Sequence, residues 1–219
     1  MKSTLVTLTA PRSAAAEAYR SLRTNLAFAR PDAALRKLLV TAPTPAEDKS
    51  AVLANLAVVS AQAGQTVIVV DCDLRRPSQH TLFGLPNDTG LTTALVDDAA
   101  LAAPPLQLTE VEGLRVLTSG PLPPNPAEVL GAKRMRALIE RLAGEADLLL
   151  FDAPPIVAVT DAAVLAPRLD GVLLVLAAGH SRRDHTVRAR EILDQVGAEV
   201  VGVVLTNVEA ESGGYGYYG

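Results

Sequence analysis

Hydrophobic positions along this chain fall into two spacings that alternate from one end to the other. Unbroken runs at 38–40 (LeuLeuVal), 66–70 (ThrValIleValVal), 114–117, 148–151 (LeuLeuLeuPhe), 172–176 (ValLeuLeuValLeu) and 200–205 (ValValGlyValValLeu) read as strands. Between them, apolar residues recur at helical spacing over 13–30, 49–64, 126–143 and 182–196. Ser13 is placed to cap the first helix, Tyr19, Leu22 and Leu26 share its face, and Arg30-Pro31 ends it; Gly64 is a natural stop for the second. Strand runs with no polar alternation, bounded by Gly, Asp or Pro, belong to strands covered on both faces. The pattern therefore predicts an α/β fold, a mostly parallel sheet with helices on both sides, containing a βαβ unit over 38–70. Pro-rich stretches at 77–112 and 119–128 read as connections and small helices on the carboxyl side of the sheet. Residues 1–210 are expected to form a single domain, and 211–219, GluSerGlyGlyTyrGlyTyrTyrGly, a flexible tail with too little to bury.

Composition narrows the class. With 49% hydrophobic residues in 219, a sizeable core is available, and only 3% are aromatic, which suits layered packing of Ala, Val and Leu. Twenty basic against twenty-four acidic residues give a formal charge of −4 without long runs of either sign, so nucleic acid is not an expected partner. MetLysSerThrLeuValThrLeuThrAlaProArgSer at the start is too short and polar for a signal peptide's apolar region. No stretch approaches the ~20 apolar residues of a membrane span, so an intracellular, soluble chain is expected. The one cysteine, Cys72, reads as a small core filler beside Asp71.

Chemistry gathers where predicted strands end, which is where open α/β sheets bind ligands. The 41–50 loop leads into a helix at Lys49-Ser50, the pair with which phosphate-binding loops hold β- and γ-phosphates and magnesium. The glycines of that motif are missing: Pro43 and Asp48 stand where GxxxxGK[ST] wants them. Asp71 and Asp73, two apart at a strand end, can face one side and a metal–nucleotide complex, or can instead cap the next segment and pair with Arg75 and Arg76. Asp152 ends a buried apolar run, the form of a magnesium-coordinating carboxylate.

Four segments together resemble the bacterial tyrosine kinases, the cytoplasmic kinase units of capsular and exopolysaccharide export: 17–25 (GluAlaTyrArgSerLeuArgThrAsn), 71–77 (AspCysAspLeuArgArgPro), 120–130 (GlyProLeuProProAsnProAlaGluValLeu) and 151–155 (PheAspAlaProPro). That resemblance runs from about residue 5 to the end and implies a P-loop fold, related to MinD and ParA, that uses ATP and Mg2+. It implies that Pro45, Ala46, Glu47, Asp48, Lys49, Ser50 and Ala51 form the phosphate loop and that Ser50, Asp71 and Asp152 serve the metal. Lys49, Asp71 and Asp73 would serve catalysis, and Asn207 would lie at the adenine. It further implies that Glu17, Arg20 and Arg23 join subunits into a ring, and that neighbouring subunits phosphorylate Tyr215, Tyr217 and Tyr218. Three of the chain's four tyrosines fall in that tail. The expected partners are other copies of the chain and the cytoplasmic end of a transmembrane polysaccharide copolymerase, which would hold the protein at the inner membrane.

Where the family's loop reads ProGlyGluGlyLysSerThr, this chain has ProAlaGluAspLysSerAla from Pro45 to Ala51. Ala46 costs about 1 kcal/mol if its position needs positive φ, and Asp48 brings a negative charge to an anion site. The expectation is weakened ATP binding and low or absent autophosphorylation. The alternatives are a non-catalytic, ring-forming regulator from the same family and, from another class, a ParA- or MinD-like positioning ATPase. That class typically carries a signature lysine where this chain has Thr44.

Overall fold

The computed structural model describes residues 5–30, 33–45 and 47–208. Every predicted strand forms: β1 (Lys37–Thr41), β2 (Val67–Asp71), β4 (Leu114–Leu117), β5 (Leu148–Asp152), β6 (Gly171–Ala177) and β7 (Val200–Thr206), with a two-residue β3 (Gln107–Leu108) that the hydrophobic pattern does not show. They lie in the order β3-β4-β2-β5-β1-β6-β7. All neighbours are parallel except β3 against β4. Successive residues serve opposite layers. Leu39, Ile68, Val70, Leu149, Phe151, Val172 and Leu174 enter one core, and Leu38, Val40, Val67, Val69, Leu148, Leu150, Leu173 and Val175 the other.

The helices are α1 (Val6–Thr9), α2 (Ala14–Ala27), α3 (Lys49–Gln62), α4 (Gln79–Phe83), α5 (Leu91–Val96), α6 (Asp98–Ala102), α7 (Pro126–Gly131), α8 (Lys133–Ala143), α9 (Asp161–Leu165) and α10 (Arg183–Gln195). Helix α3 is apolar on every side because it lies between the sheet and α2, so both its faces are covered. Asn55 accepts from Thr7 N and Oγ1, and Arg23 donates to Val59 O, pinning α1 and α2 to it. Ser13 accepts from Ala16 N at the start of α2, as its sequence position predicts.

The single helix expected over 126–143 is two. Ala132 is extended, φ −61° and ψ 157°, between α7 and α8. The carbonyls of Leu130, Gly131 and Ala132 are bonded by the guanidinium of Arg168 rather than by a continuing helix. Gly131 is a weak helix former, but an arginine 37 positions along the chain leaves no local trace in the sequence. At the far end of the sheet β7 is an edge strand, with Val203 and Leu205 each more than half exposed.

Candidate functional site

Strand order alone gathers residues that are far apart in sequence. Because β2, β5 and β1 are neighbours, their carboxyl ends meet, and the register sets Asp71 directly beside Asp152. The loop after β1 delivers the amino end of α3 to the same place, Val52 N bonding to Asp48 O in its first turn. From that end Lys49 turns inward. Its Nζ lies 2.8 Å from Asp152 Oδ1, 3.0 Å from Asp73 Oδ2 and 3.1 Å from Ser50 Oγ. Burial works against its ammonium, but Asp152 and Asp73 outweigh that and hold its pKa above the ordinary value.

The two carboxylates of the 71–77 segment part company. Asp73 faces Lys49 with one oxygen, while its other accepts from the backbone N–H groups of Arg75 and Arg76. Asp71 turns to the start of α4, accepting from Ser78 N and Gln79 N, both at 3.0 Å. Both carboxylates therefore accept from backbone N–H groups of the segment that follows, and of the two only Asp73 also bonds Lys49. The Arg75 guanidinium bonds neither carboxylate: it forms two bonds, 2.8 and 3.0 Å, to Asp161, whose side chain is wholly buried at the start of α9. Arg75→Ala would strand that carboxylate, at a cost of about 1–3 kcal/mol. Denaturant unfolding should show this loss, and Arg75→Ala combined with Asp161→Asn should regain part of it.

Burial, then the neighbouring Asp152, pushes the Asp71 carboxyl from 3.8 up to about 8. The folded chain thus binds this proton more tightly than the unfolded one, so the stability it contributes is complete below pH 3.8 and lost as pH rises through about 8. In divalent-free buffer, wild-type unfolding free energy should fall between those limits relative to Asp71→Asn; parallel curves for the two chains would refute the assignment. Burial likewise lifts the Cys72 thiol well above its usual value, in keeping with a core filler.

Three residues that the sequence did not single out complete the site. Gln79, fully buried, donates to Asp152 Oδ2 at 2.7 Å and to Ser50 O at 3.1 Å, and its own oxygen finds no donor among the described residues. Ser181, in the loop between β6 and α10, donates to Glu47 at 2.6 Å, while Glu47 also accepts from Thr44 N and Oγ1. Asp161 is the third. Gln and Ser at these positions carry no spacing signal, since each acts on a residue from another segment.

A cavity of about 310 Å3 opens at this edge, lined by Pro45, Glu47, Asp48, Lys49, Ser50 and Asp73 among others. Asp48 and Ala51 also border a second hollow of about 740 Å3 between α2 and β7. There stand Tyr19 and Asn207, the latter at φ 56°, a left-handed conformation that asparagine tolerates. Asn207 is thus set apart from Lys49, in a hollow that shares Asp48 and Ala51 with the cavity beside it. Asp48 is exposed and caps nothing with its side chain. Burial and the charge of Asp48 raise the Tyr19 pKa. On α2, Arg20 bonds Glu17 and Pro11 O, and Arg23 bonds Val59 O, so within one copy these side chains already have partners. Ala46 and the tail with Tyr215, Tyr217 and Tyr218 lie outside the described residues.

Comparison with known proteins gives the family. The family model described as ParA, NUBPL iron-transfer P-loop NTPase, matches residues 46–211. The tyrosine-protein kinase YwqD of Bacillus subtilis is 39% identical over 220 aligned residues, covering 100% of this chain and 92% of YwqD. The chain belongs to the bacterial tyrosine kinases. The kinase domain of the Escherichia coli tyrosine kinase ETK superposes with a TM-score of 0.89 at 35% identity, covering 100% of this chain and 86% of that one. The chimerical protein CapA2B2 also reaches 0.89 at 35% identity, covering 94% and 90%. As a bacterial tyrosine kinase with a P-loop NTPase fold, the chain carries a nucleotide site by family, and the mostly parallel sheet is the family's. No helix among the described residues is long and apolar enough to cross a membrane.

Proposed function

We propose that the chain is an ATP-dependent protein-tyrosine autokinase that phosphorylates Tyr215, Tyr217 and Tyr218 of a neighbouring copy. In this reading Lys49 and Ser50 hold phosphates within the 45–51 loop, Ser50, Asp71 and Asp152 serve magnesium, Asp71 and Asp73 stand by the incoming hydroxyl, and Asn207 lies by the adenine. The observation that supports it most is the meeting of Lys49, Ser50, Asp73 and Asp152 at one buried point, in a chain 39% identical to a tyrosine-protein kinase along its whole length. Carboxylate and hydroxyl oxygens are the donor types that suit magnesium, which when bound would neutralise phosphate charge. The tyrosine oxygen attacks the terminal phosphorus, the bond to the ADP oxygen breaks, and a carboxylate receives the hydroxyl proton.

Copies would assemble into a ring through Glu17, Arg20 and Arg23, at the cytoplasmic end of a transmembrane polysaccharide copolymerase of capsule or exopolysaccharide export. Residues 1–210 act as one domain, and the tail as its substrate. Each added phosphate carries about −1.5 to −2 charges, which would loosen a tight ring. A second reading, a ring-forming regulator without turnover, draws on Ala46 and Asp48. Mass spectrometry of chain incubated with MgATP should find tail phosphotyrosine in the wild type and none in Lys49→Met; an unmodified wild-type tail at long times would leave the regulator.

A further inference from the structure

The three N–H groups of the Lys49 ammonium have three acceptors within reach, Asp73 Oδ2, Asp152 Oδ1 and Ser50 Oγ, at 3.0, 2.8 and 3.1 Å. Its donors are spent, and only 7% of its side chain meets solvent. Two of those acceptors, Ser50 and Asp152, are the groups assigned above to the metal. We propose that in the nucleotide-free chain Lys49 itself fills the cation position, so that a divalent ion enters only together with phosphates that draw the lysine out. This rests on the reading of Ser50 and Asp152 as ligands of that ion.

The charges favour the arrangement. Asp73 and Asp152 are 4% and 0% exposed, and buried carboxylates without a counter-charge are strongly unfavourable. The one ammonium lies within 3.0 Å of both carboxylates and serves as their shared counter-charge. A lone divalent ion would have to drive a positive charge out of two ion pairs and leave it without an acceptor. Nucleotide phosphates change that balance, because they offer the lysine new acceptors as it departs. Lys49 opens α3 on a long unbranched stem, so the swing needs rotamer changes and no movement of the helix. Nor do the described residues include a ready set of three His, Cys, Asp or Glu side chains spaced for a metal.

Manganese is the probe, titrated without nucleotide into wild-type chain and Lys49→Met, with free ion read by electron paramagnetic resonance. Lys49→Met keeps the stem, loses the charge, and should bind one ion at least about tenfold more tightly than wild type, a gap of roughly 1.4 kcal/mol. Its thermal midpoint should rise with manganese while the wild-type midpoint stays put. If Lys49→Met folds only when manganese is added, that too is the expected result. Wild-type chain that binds manganese alone as tightly as the variant overturns the proposal, as does a folded Lys49→Met that binds none. Either failure leaves the kinase reading to its own phosphotyrosine test, and an unphosphorylated tail leaves the lysine's position untouched.

Discussion

The Ala46→Gly, Asp48→Gly chain binds MgADP about tenfold or more tightly than the parent. Asp48 lines both the cavity beside Lys49 and the hollow beside Asn207, with its side chain exposed. A unit charge ~4 Å from a phosphate charge costs about 1 kcal/mol in water and about 4 kcal/mol at an effective dielectric near 20. Exposure pulls the value towards the lower limit, and the several charges of a diphosphate pull it back. At about 1.4 kcal/mol per factor of ten, a tenfold change is the middle of that range. Asp48 also sits at the amino end of α3, where a negative charge contributes about 0.3–1 kcal/mol against the helix dipole. The revertant should therefore melt slightly lower without nucleotide and higher with it. Calorimetric titration of Asp48→Gly alone isolates the electrostatic part; equal affinities in parent, single and double variants would remove the charge from the explanation.

Gly90→Ala should cost about 3 kcal/mol or more, the upper end of overpacking. A methyl on Gly90 would lie 2.1 Å from Thr118 O and 2.6 Å from Gly120 N, both backbone atoms that cannot rotate away. Leu91 N and Thr92 N bond Thr118 O and Ser119 O across the same contact, and Asn87 bonds Gly120 N, so neither strand end nor helix start can shift alone. Its φ of 176° is ordinary extended backbone, so the demand is for room only. Equilibrium unfolding in urea measures it, and a loss below about 1 kcal/mol would mean that the α5 turn moves more freely than these contacts allow. The same contact gives the GlyProLeuProProAsnPro segment a structural reason to begin with glycine, since Gly120 holds φ 72° there.

What the sequence made legible was whatever repeats locally. Runs such as ValIleValVal before Asp71 and LeuLeuLeuPhe before Asp152 carry their own period, so strands, their buried character and the placing of acids at their ends followed directly. The meeting of Lys49 with Asp73 and Asp152 followed from βαβ order, which forces consecutive carboxyl ends to one edge. Local signals could not show the division of labour between Asp71 and Asp73, because two-residue spacing fixes a shared side and not which backbone amides fold back upon it. The break at Ala132 and the anchoring of Glu47 by Ser181 depend on Arg168 and on the β6–α10 loop, partners whose positions only the assembled sheet determines. Strand β3 is two residues long and is created by its neighbour β4 rather than by its own composition.

Strand β7 closes the sheet with the sequence ValValGlyValValLeuThr, which contains neither lysine nor proline. Edge strands usually carry such residues as gatekeepers, because unpaired amides and carbonyls template another chain. Among the described residues this margin, bare of them, is open to a further strand from another chain, and substituting a lysine for the exposed Val203 should reduce self-association without touching the core.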